Sequence, residues 1–227
     1  MTKKMLRTTR DSQGFTLVEM IGVLAIIAIL MALLLPKVFS LIGASNARSL
    51  AAAVRTYETA VTSYFADVGS LYPLNITGVP TAETTGASTN AISLGARLTL
   101  DMGDALNTGA NQWPRFRGPY VEKFDSANVP GFGATILMPS TAAVNLGTAT
   151  TGTNLGWDLN GTDGKSDLAT GAQVAYLKIT GVSVGDSEEI DAILDPGIGT
   201  TQATRRLRGR VKYDAATSTL LIYLAHR

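Results

Sequence analysis

The hydrophobic pattern of this chain changes twice along its length. From Met20 to Leu35 the chain has no charged residue and almost only apolar ones, which is typical of a segment in lipid. From Leu50 to Val68 apolar residues recur every three or four positions, which predicts an amphipathic helix. Towards the C-terminus, apolar and polar residues alternate in short segments, which predicts antiparallel strands with one buried face.

The run from Phe15 to Leu35 is long enough to cross a bilayer, because about 20 apolar residues in a helix span the hydrocarbon core. A basic stretch from Lys3 to Arg10 precedes the run and favours a cytoplasmic N-terminus. We therefore expect a retained membrane anchor. A cleaved secretory signal, cut near residues 43–45, is the alternative, although Lys37 and bulky apolar residues separate that stretch from the run.

We predict one helix from Phe15 to Val68, roughly 80 Å long at 1.5 Å per residue. Pro36 would kink or break an isolated helix, but neighbouring groups can compensate inside a membrane. A membrane anchor followed by a separate amphipathic helix is the alternative. Gly69 and Pro73 are the signals that end the helix.

The remaining elements are short. Strands are predicted at 173–180, 208–214 and 217–225, with a hairpin turn at 214–217. On the second strand Val211 and Tyr213 alternate with Arg210 and Lys212, so we expect one dry face and one wet face. Helices are predicted at 94–106 and at 187–197, the second with Ser187 as its N-cap.

Composition excludes several classes of chemistry. The chain has 19 basic and 18 acidic residues, a net charge of +1, so charge gives no footprint for nucleic acid. It has no cysteine, which excludes disulfides, thiolate zinc sites and cysteine nucleophiles. Its single histidine, His226, lies next to the last residue, a poor place for a catalytic triad. We expect no enzymatic activity.

Glu19 stands at the mouth of the apolar run, where an unpaired carboxylate is costly. Charged residues at the centre of a membrane helix cost roughly 2.5–3.5 kcal/mol on insertion scales. The positive end of the helix dipole and a nearby ammonium group would offset that cost. The role of Glu19 in this segment therefore has to be inferred from the residues around it.

The stretch Gly14-Phe15-Thr16-Leu17-Val18-Glu19, with its basic leader and its apolar run ending at Pro36, closely resembles the type III signal of type IV pilins and pseudopilins. The resemblance implies that a membrane peptidase, the prepilin peptidase, cuts between Gly14 and Phe15 and methylates the new amino terminus of Phe15. It implies that Glu19 then meets the amino terminus of a neighbouring subunit during assembly. Pairing with its own amino terminus is the alternative.

The resemblance also implies a pilin-like α+β fold, in which a long N-terminal helix packs on a small antiparallel sheet. The corresponding parts are a cleaved leader (1–14), a transmembrane and filament-core helix (15–36), an amphipathic helix (37–68) and a loop-rich globular domain (69–227). Such a subunit assembles into a homo-oligomeric helical filament, with an inner-membrane assembly platform and other minor pilins or pseudopilins as partners. It would cross the inner membrane once with its globular domain in the periplasm, and its filament would be periplasmic or extracellular.

Two further stretches resemble the major pseudopilin of type II secretion, namely SYFADVGSLYP (63–73) and WPRFRGPYVEKF (113–124). They favour a pseudopilin of a protein secretion system, although the following SANVPGFGATILMPS lacks the Asp-Pro-Trp-Gly expected there. A type IV pilus subunit for adhesion, motility or DNA uptake is the alternative. An exported binding protein or enzyme with a cleaved signal is a more distant one.

The segment WDLNGTDGKSD (157–167) is a candidate calcium site. Its oxygen donors are Asp158, Asn160, Asp163 and Asp167, and calcium prefers several oxygens from a flexible loop. The spacing nearly matches an EF-hand loop, but the second acid is displaced and the bidentate Glu is missing. Pseudopilins commonly bind calcium in a loop near the sheet. A solvated Asn/Asp/Gly turn is the alternative.

The segment RRLRGR (205–210) is the strongest basic cluster. It could contact acidic faces of neighbouring subunits, or DNA in a competence pilin. A solvated start of the next strand is the alternative, and the aromatic residues that single-stranded nucleic acid needs are lacking. No clear nucleic-acid site is predicted.

Overall fold

The computed structural model describes residues 15–75, 78–81, 93–101, 113, 115–124, 135–138, 140–142, 157–162, 167–169, 171–198, 201, 204 and 208–227. Contacts divide the chain into two compact units, Met1–Ile42 and Gly43–Arg227. The functional boundaries predicted after residues 14, 36 and 68 stay predictions.

Helix α1 runs from Leu17 to Val68 with Pro36 inside it. The prediction of one long helix is confirmed, and the helix begins two residues later than expected because Phe15 and Thr16 are not helical. Gly69 ends it with a φ of 77° and donates its N–H to the Phe65 carbonyl at 2.8 Å. A left-handed glycine directly after the last turn is a common helix stop.

Three threonines on α1 donate their hydroxyl groups to the backbone of the same helix. The hydroxyls of Thr56, Thr59 and Thr62 donate to backbone carbonyls four residues earlier, at 3.3, 3.0 and 2.8 Å. All three side chains are exposed. Each threonine therefore turns its hydroxyl onto the helix rather than outwards.

The sheet has three longer strands and two short ones. Their bounds are β1 Thr135–Leu137, β2 Ser140–Ala142, β3 Gln173–Thr180, β4 Val211–Asp214 and β5 Thr219–His226. Strand β5 lies between β3 and β4, and β1 and β2 both pair with the other edge of β3, all antiparallel. The predicted strand at 173–180 is confirmed, the other two are present with shifted ends, and β1 and β2 were not predicted.

The main core lies between residues 43–68 of α1 and one face of this sheet. From α1 it takes residues four or three apart, including Leu50, Val54, Val61 and Tyr64, all buried. From the sheet it takes alternate positions, among them Leu177, Ile179, Leu220, Ile222 and Tyr213. The α+β fold predicted from the sequence, a long N-terminal helix packed on a small antiparallel sheet, is confirmed.

The opposite face of the sheet is not wet, and that prediction is wrong for Lys212. A second cluster forms on this face, where Trp157, Leu168 and Ala172 pack on Val174 and Tyr176 of β3. Lys212 lies on the same face and is only 3% exposed. The residues that cover it come from the loop before β3, so alternation within β4 gave no sign of them.

The predicted short helices are present with different bounds. Helix α2 spans Leu94–Leu98, so the prediction of a helix over 94–106 is wrong for residues 99–101, and residues 102–106 lie outside the described residues. Helix α3 spans Val184–Leu194, and its N-cap is Ser183, so the prediction of Ser187 as N-cap is wrong. The Ser183 hydroxyl accepts from the Asp186 N–H at 3.1 Å and donates to the Asp186 carboxylate at 2.6 Å, which starts the helix one turn earlier.

Arg227 closes the C-terminal end of α1, whose last turn holds no basic residue of its own. Its guanidinium donates to the Gly69 carbonyl and lies 5.4 Å from the Phe65 ring centre. Its backbone exchanges hydrogen bonds of 2.9 and 3.0 Å with Gln173. A cation here favourably meets the negative end of the helix dipole.

Candidate assembly signal and acidic loop

The first turn of α1 is held by a reciprocal pair of side chains. The Thr16 N–H and hydroxyl both donate to Glu19 Oε2, at 2.8 and 2.7 Å. The Glu19 N–H in turn donates to Thr16 Oγ1 at 3.3 Å. This is a capping box, in which the N-cap residue and the third helical residue satisfy each other's free N–H groups. The helix therefore starts directly after Thr16.

The helix that follows leaves its apolar side chains uncovered. Its large hydrophobic residues from Phe15 to Ile42 are each between 46% and 84% exposed. Pro36 lies within this segment and the helix continues on both sides of it. The Ser40 hydroxyl donates to the Lys37 carbonyl at 2.9 Å, so this polar side chain is satisfied by its own helix.

Segment 115–124 packs against the end of α1. The rings of Phe116 and Tyr120 lie 6.3 and 5.6 Å from the Tyr64 ring, edge to face. The Tyr120 hydroxyl donates to Asp67 Oδ2 at 2.8 Å and accepts from the Arg117 N–H at 3.0 Å. Burial raises the pKa of Tyr120 to about 12, so the phenol stays protonated as a donor. This second pseudopilin-like stretch therefore contacts the first through specific side chains.

The acidic loop, residues 157–162 and 167–169, is closed by its own polar groups. The Asp167 carboxylate accepts from the Asn160 N–H at 2.9 Å and from the Asn160 side-chain amide at 2.8 Å. Asp158 Oδ1 accepts from the Thr162 N–H at 3.2 Å, and the Asn160 side-chain oxygen accepts from the same N–H at 2.9 Å. The loop thus combines Asx-type turns with a carboxylate that closes its two ends.

Asp158 also attaches the loop to the sheet. Its carbonyl accepts from the Gly209 N–H at 2.6 Å, and its backbone forms a parallel bridge to Arg208 just before β4. Trp157 and Asp158 are 1% and 0% exposed. The Lys212 side chain also contacts this loop, with Nζ 5.2 Å from the Trp157 ring centre.

Burial lowers the pKa of Lys212 to about 8, and the charge of Asp158 opposes that shift. The two buried groups are thus electrostatic partners on the outer face of the sheet. Asp158 could be identified from the sequence and Lys212 could not, because the alternating pattern of its strand predicts that this lysine faces water.

Calcium binding by the predicted set stays a prediction. Asp163 lies outside the described residues, and its three fellow candidates, Asp158, Asn160 and Asp167, are brought together in one loop. Their side-chain oxygens accept hydrogen bonds from the loop itself. Among the residues that the structure describes, no group of three or more His, Cys, Asp or Glu side chains is placed to hold a metal ion.

The basic cluster is divided between the described and the undescribed parts of the chain. Residues 205–207 lie outside the described residues. Arg210 forms a salt bridge with Glu58 on α1 and donates to the Tyr223 carbonyl at 3.4 Å. The alternative of a solvated strand start therefore does not describe Arg210, which is half-buried and joins the residue before β4 to the helix.

Asp195 joins the end of α3 to the same strand. Its Oδ2 accepts from the Val211 N–H at 2.7 Å, and a Cβ on Gly209 would collide with its carboxylate. Gly209 has a φ of 82°, so this position favours glycine for two reasons. Burial raises the pKa of Asp195 to about 6, although the hydrogen bond from Val211 opposes the shift.

Comparison with known families identifies the N-terminal segment. Residues 9–35 match the family model of the prokaryotic N-terminal methylation motif, which is the prepilin signal. This chain carries the prepilin signal of type IV pilins and pseudopilins. No curated protein and no solved structure matches the chain.

The prepilin signal supports a type IV pilin-like or pseudopilin subunit. It implies processing by prepilin peptidase and, in general, assembly into a filament. In the part of the chain that the structure describes, α1 alone is long and apolar enough to cross a membrane. The signal and this helix are consistent with an exported subunit anchored in the inner membrane.

Within the prepilin signal, the structure adds a residue that sequence reasoning missed. Glu19 was expected to pair with the amino terminus of the mature chain, its own or a neighbour's, and both pairings stay predictions. The observed partner is Thr16, immediately after the first residue expected in the mature chain. The spacing Thr-x-x-Glu before an apolar run is the sequence signature of a capping box and could have found it.

Proposed function

We propose that this chain is a pseudopilin-type subunit of a type II protein secretion system, cut after Gly14, N-methylated on Phe15 and assembled into a filament through its N-terminal helix. Its role is structural rather than catalytic. The match of residues 9–35 to the methylation motif carries the proposal. The inner-membrane assembly platform and other pseudopilins are its proposed partners, and its globular domain lies in the periplasm.

The geometry of the first turn supports assembly through Glu19. After cleavage, the new ammonium group would lie on Phe15, next to the Thr16 cap. Glu19 is fully exposed apart from its bonds to Thr16, so its second carboxylate oxygen remains open to a cation. A neighbouring subunit that brings its own amino terminus to this carboxylate would fix the axial register of adjacent helices.

The choice of a secretion system is supported by the globular unit. The stretch with Gly118, Pro119 and Tyr120 packs on the end of α1, which gives the pseudopilin-like sequence a structural role. The chain has no cysteine, so it lacks the disulfide found in many pilins. A pilus subunit for adhesion, motility or DNA uptake is distinguished from it by experiment.

The assembly role is tested with two variants that separate capping from charge. Glu19→Gln keeps an oxygen for both Thr16 donors but removes the charge, whereas Thr16→Val removes the cap partner and keeps the charge. If the charge registers subunits, Glu19→Gln abolishes filaments and Thr16→Val retains them, as judged by sheared-fibre yield. Glu122→Gln, at an exposed glutamate of the globular unit, is the matched control. Filaments of wild-type abundance from Glu19→Gln would contradict the mechanism.

Processing and system are tested separately. Mass spectrometry of the mature protein should find an N-terminal peptide that begins at Phe15 and carries one extra methyl group. A strain lacking the gene should fail to release secreted enzymes and should keep surface motility and DNA uptake. Normal secretion with loss of motility or DNA uptake would favour a pilus subunit, and a mature chain that begins near Asn46 would contradict the filament role altogether.

A further inference from the structure

Lys212 and Asp158 are two opposite charges buried together on the outer face of the sheet. Asp158 is 0% exposed and Lys212 is 3% exposed. The Lys212 side chain leaves β4 and ends 5.2 Å from the centre of the Trp157 ring. The Asp158 carbonyl is bound to the Gly209 N–H at 2.6 Å, which brings the acidic loop to the start of the same strand.

A carboxylate in this position needs a positive charge. Transfer of an ionised carboxylate out of water is strongly unfavourable unless it is paired. The Thr162 N–H at 3.2 Å supplies one dipole to Asp158 Oδ1, which does not neutralise a whole charge. The buried ammonium group of Lys212 interacts electrostatically with Asp158, and the face of Trp157 provides a favourable contact for that cation.

A divalent cation fits the described part of the loop poorly. Calcium takes six to eight oxygen ligands with their lone pairs directed at the ion. Here the Asn160 side-chain N–H₂ is directed at Asp167 at 2.8 Å, and the Asn160 side-chain oxygen accepts from the Thr162 N–H at 2.9 Å. The oxygens of Asp158 and Asn160 therefore converge on the Thr162 N–H, and the Asp167 carboxylate is bound by the Asn160 amide.

We propose that the ammonium group of Lys212 is the built-in cation of the acidic loop, so that the loop packs on the sheet without a divalent metal ion. The lysine supplies from β4 the charge that calcium would otherwise bring from solution. The loop, in turn, buries Trp157 and Leu168 over the outer face of the sheet. This role does not depend on the proposed place of the chain in a secretion filament.

A double-mutant cycle on the full chain in detergent micelles tests the pairing. Lys212→Met keeps most of the side-chain volume but leaves Asp158 buried without its cation, and should lower the Tm by about 6 °C or more. Asp158→Asn combined with Lys212→Met removes both charges and should recover at least half of that loss. Lys178→Met, at a half-buried lysine on β3, is the matched control and should change the Tm by less than about 2 °C.

The cycle remains decisive if Lys212→Met fails to fold, because the double variant then folds only if the charge pair is the cause. A double variant that is no more stable than Lys212→Met would overturn the proposal, since the lysine would then act through packing alone.

Calcium chloride provides the second arm of the test. The wild-type Tm should differ by less than about 1 °C between excess EGTA and millimolar calcium, because the cation position is already filled. Calorimetry with calcium chloride should show no saturable binding that Asp158→Asn removes. A calcium-dependent rise in the wild-type Tm that Asp158→Asn abolishes would overturn the proposal and establish a metal site in the loop.

Discussion

Residues 17–42 and residues 43–68 belong to one helix, α1, but differ in what covers their apolar side chains. Leu30 in the first part is 52% exposed, whereas Leu50 in the second part is 5% exposed. The first part has one charged residue beyond Glu19, namely Lys37. The second part carries Glu58 and Asp67, which bind Arg210 and Tyr120 of the globular unit.

The difference shows that two parts of one helix can depend on different properties of their side chains. In the second part each buried residue has a fixed partner, so size, shape and charge all matter. In the first part the large apolar side chains are exposed, as expected for a surface that lipid or another subunit covers. Apart from length and apolarity, the specific chemistry of that part is concentrated in Glu19 and its contacts with Thr16, the residue before the helix.

A matched pair of leucine-to-alanine variants tests this difference between the two parts with the largest expected effect. Leu50→Ala removes a side chain from the core and should lower the free energy of unfolding by about 2–5 kcal/mol. Leu30→Ala removes the same atoms from an uncovered surface and should change it by less than about 0.5 kcal/mol. Near-UV circular dichroism of the full chain in micelles during thermal unfolding measures both. Equal losses would mean that the first part also packs on its own globular unit.

Between pH 4 and 6, the pH dependence of stability should reside largely in Asp195, which belongs to the unit Gly43–Arg227. Its pKa in the folded chain is about 6, above the ordinary value of 3.8, so the folded state binds more protons between these values. Stability should therefore fall by at most about 3 kcal/mol as the pH rises from about 4 to about 6. Urea unfolding at several pH values measures it.

Asp195→Asn is the control for this pH effect. It keeps an oxygen to accept the Val211 N–H but does not titrate, so its stability should lose that part of the slope between pH 4 and 6. An unchanged slope in the variant would assign the titration to another group.

Removal of the Arg227 guanidinium, at the C-terminal end of α1, should lower the free energy of unfolding by a smaller amount. Arg227→Met keeps the aliphatic stem but loses the bond to the Gly69 carbonyl and the charge at the helix end, at a cost of about 1 kcal/mol. Arg117→Met, at an exposed arginine, should have no measurable effect. Thermal unfolding compares the two, and equal behaviour would show that the closing contact contributes nothing.

The smallest effect is expected at the opposite end of α1. Thr16→Val removes the cap of the first turn and should cost about 1 kcal/mol locally, which corresponds to roughly fivefold faster hydrogen exchange at the Val18–Met20 amides. Global unfolding should not change, since the first part is outside the globular core. Thr56→Val, which loses only a bond within its own helix, should leave these amides unchanged and serves as the control.

The sequence was sufficient for features that depend on local pattern. The apolar run and the stripe from Leu50 to Val68 predicted α1, and the strand-forming residues of 173–180 predicted β3. Features that depend on distant segments were not predictable in this way. Lys212 is buried because the loop around Trp157 covers it, and Arg210 is half-buried because Glu58 lies opposite. Local pattern carries no record of either neighbour.

The candidate sites divide along the same line. Gly14, Phe15 and Glu19 could be identified from adjacent residues because the prepilin signal is itself a local pattern. Thr16 was identifiable too, as half of a capping box. The acidic loop needed the position of Lys212, which comes from a strand more than forty residues further along the chain.

The threonines at 56, 59 and 62 make the surface of α1 less polar towards a neighbouring molecule than their residue type suggests. A hydropathy scale counts them as polar, yet their hydroxyls are already committed to carbonyls of their own helix. What remains to meet a neighbouring molecule at these positions is the γ-methyl group, as in a valine. To an approaching helix this row is a smooth, weakly apolar strip rather than a hydrogen-bonding one.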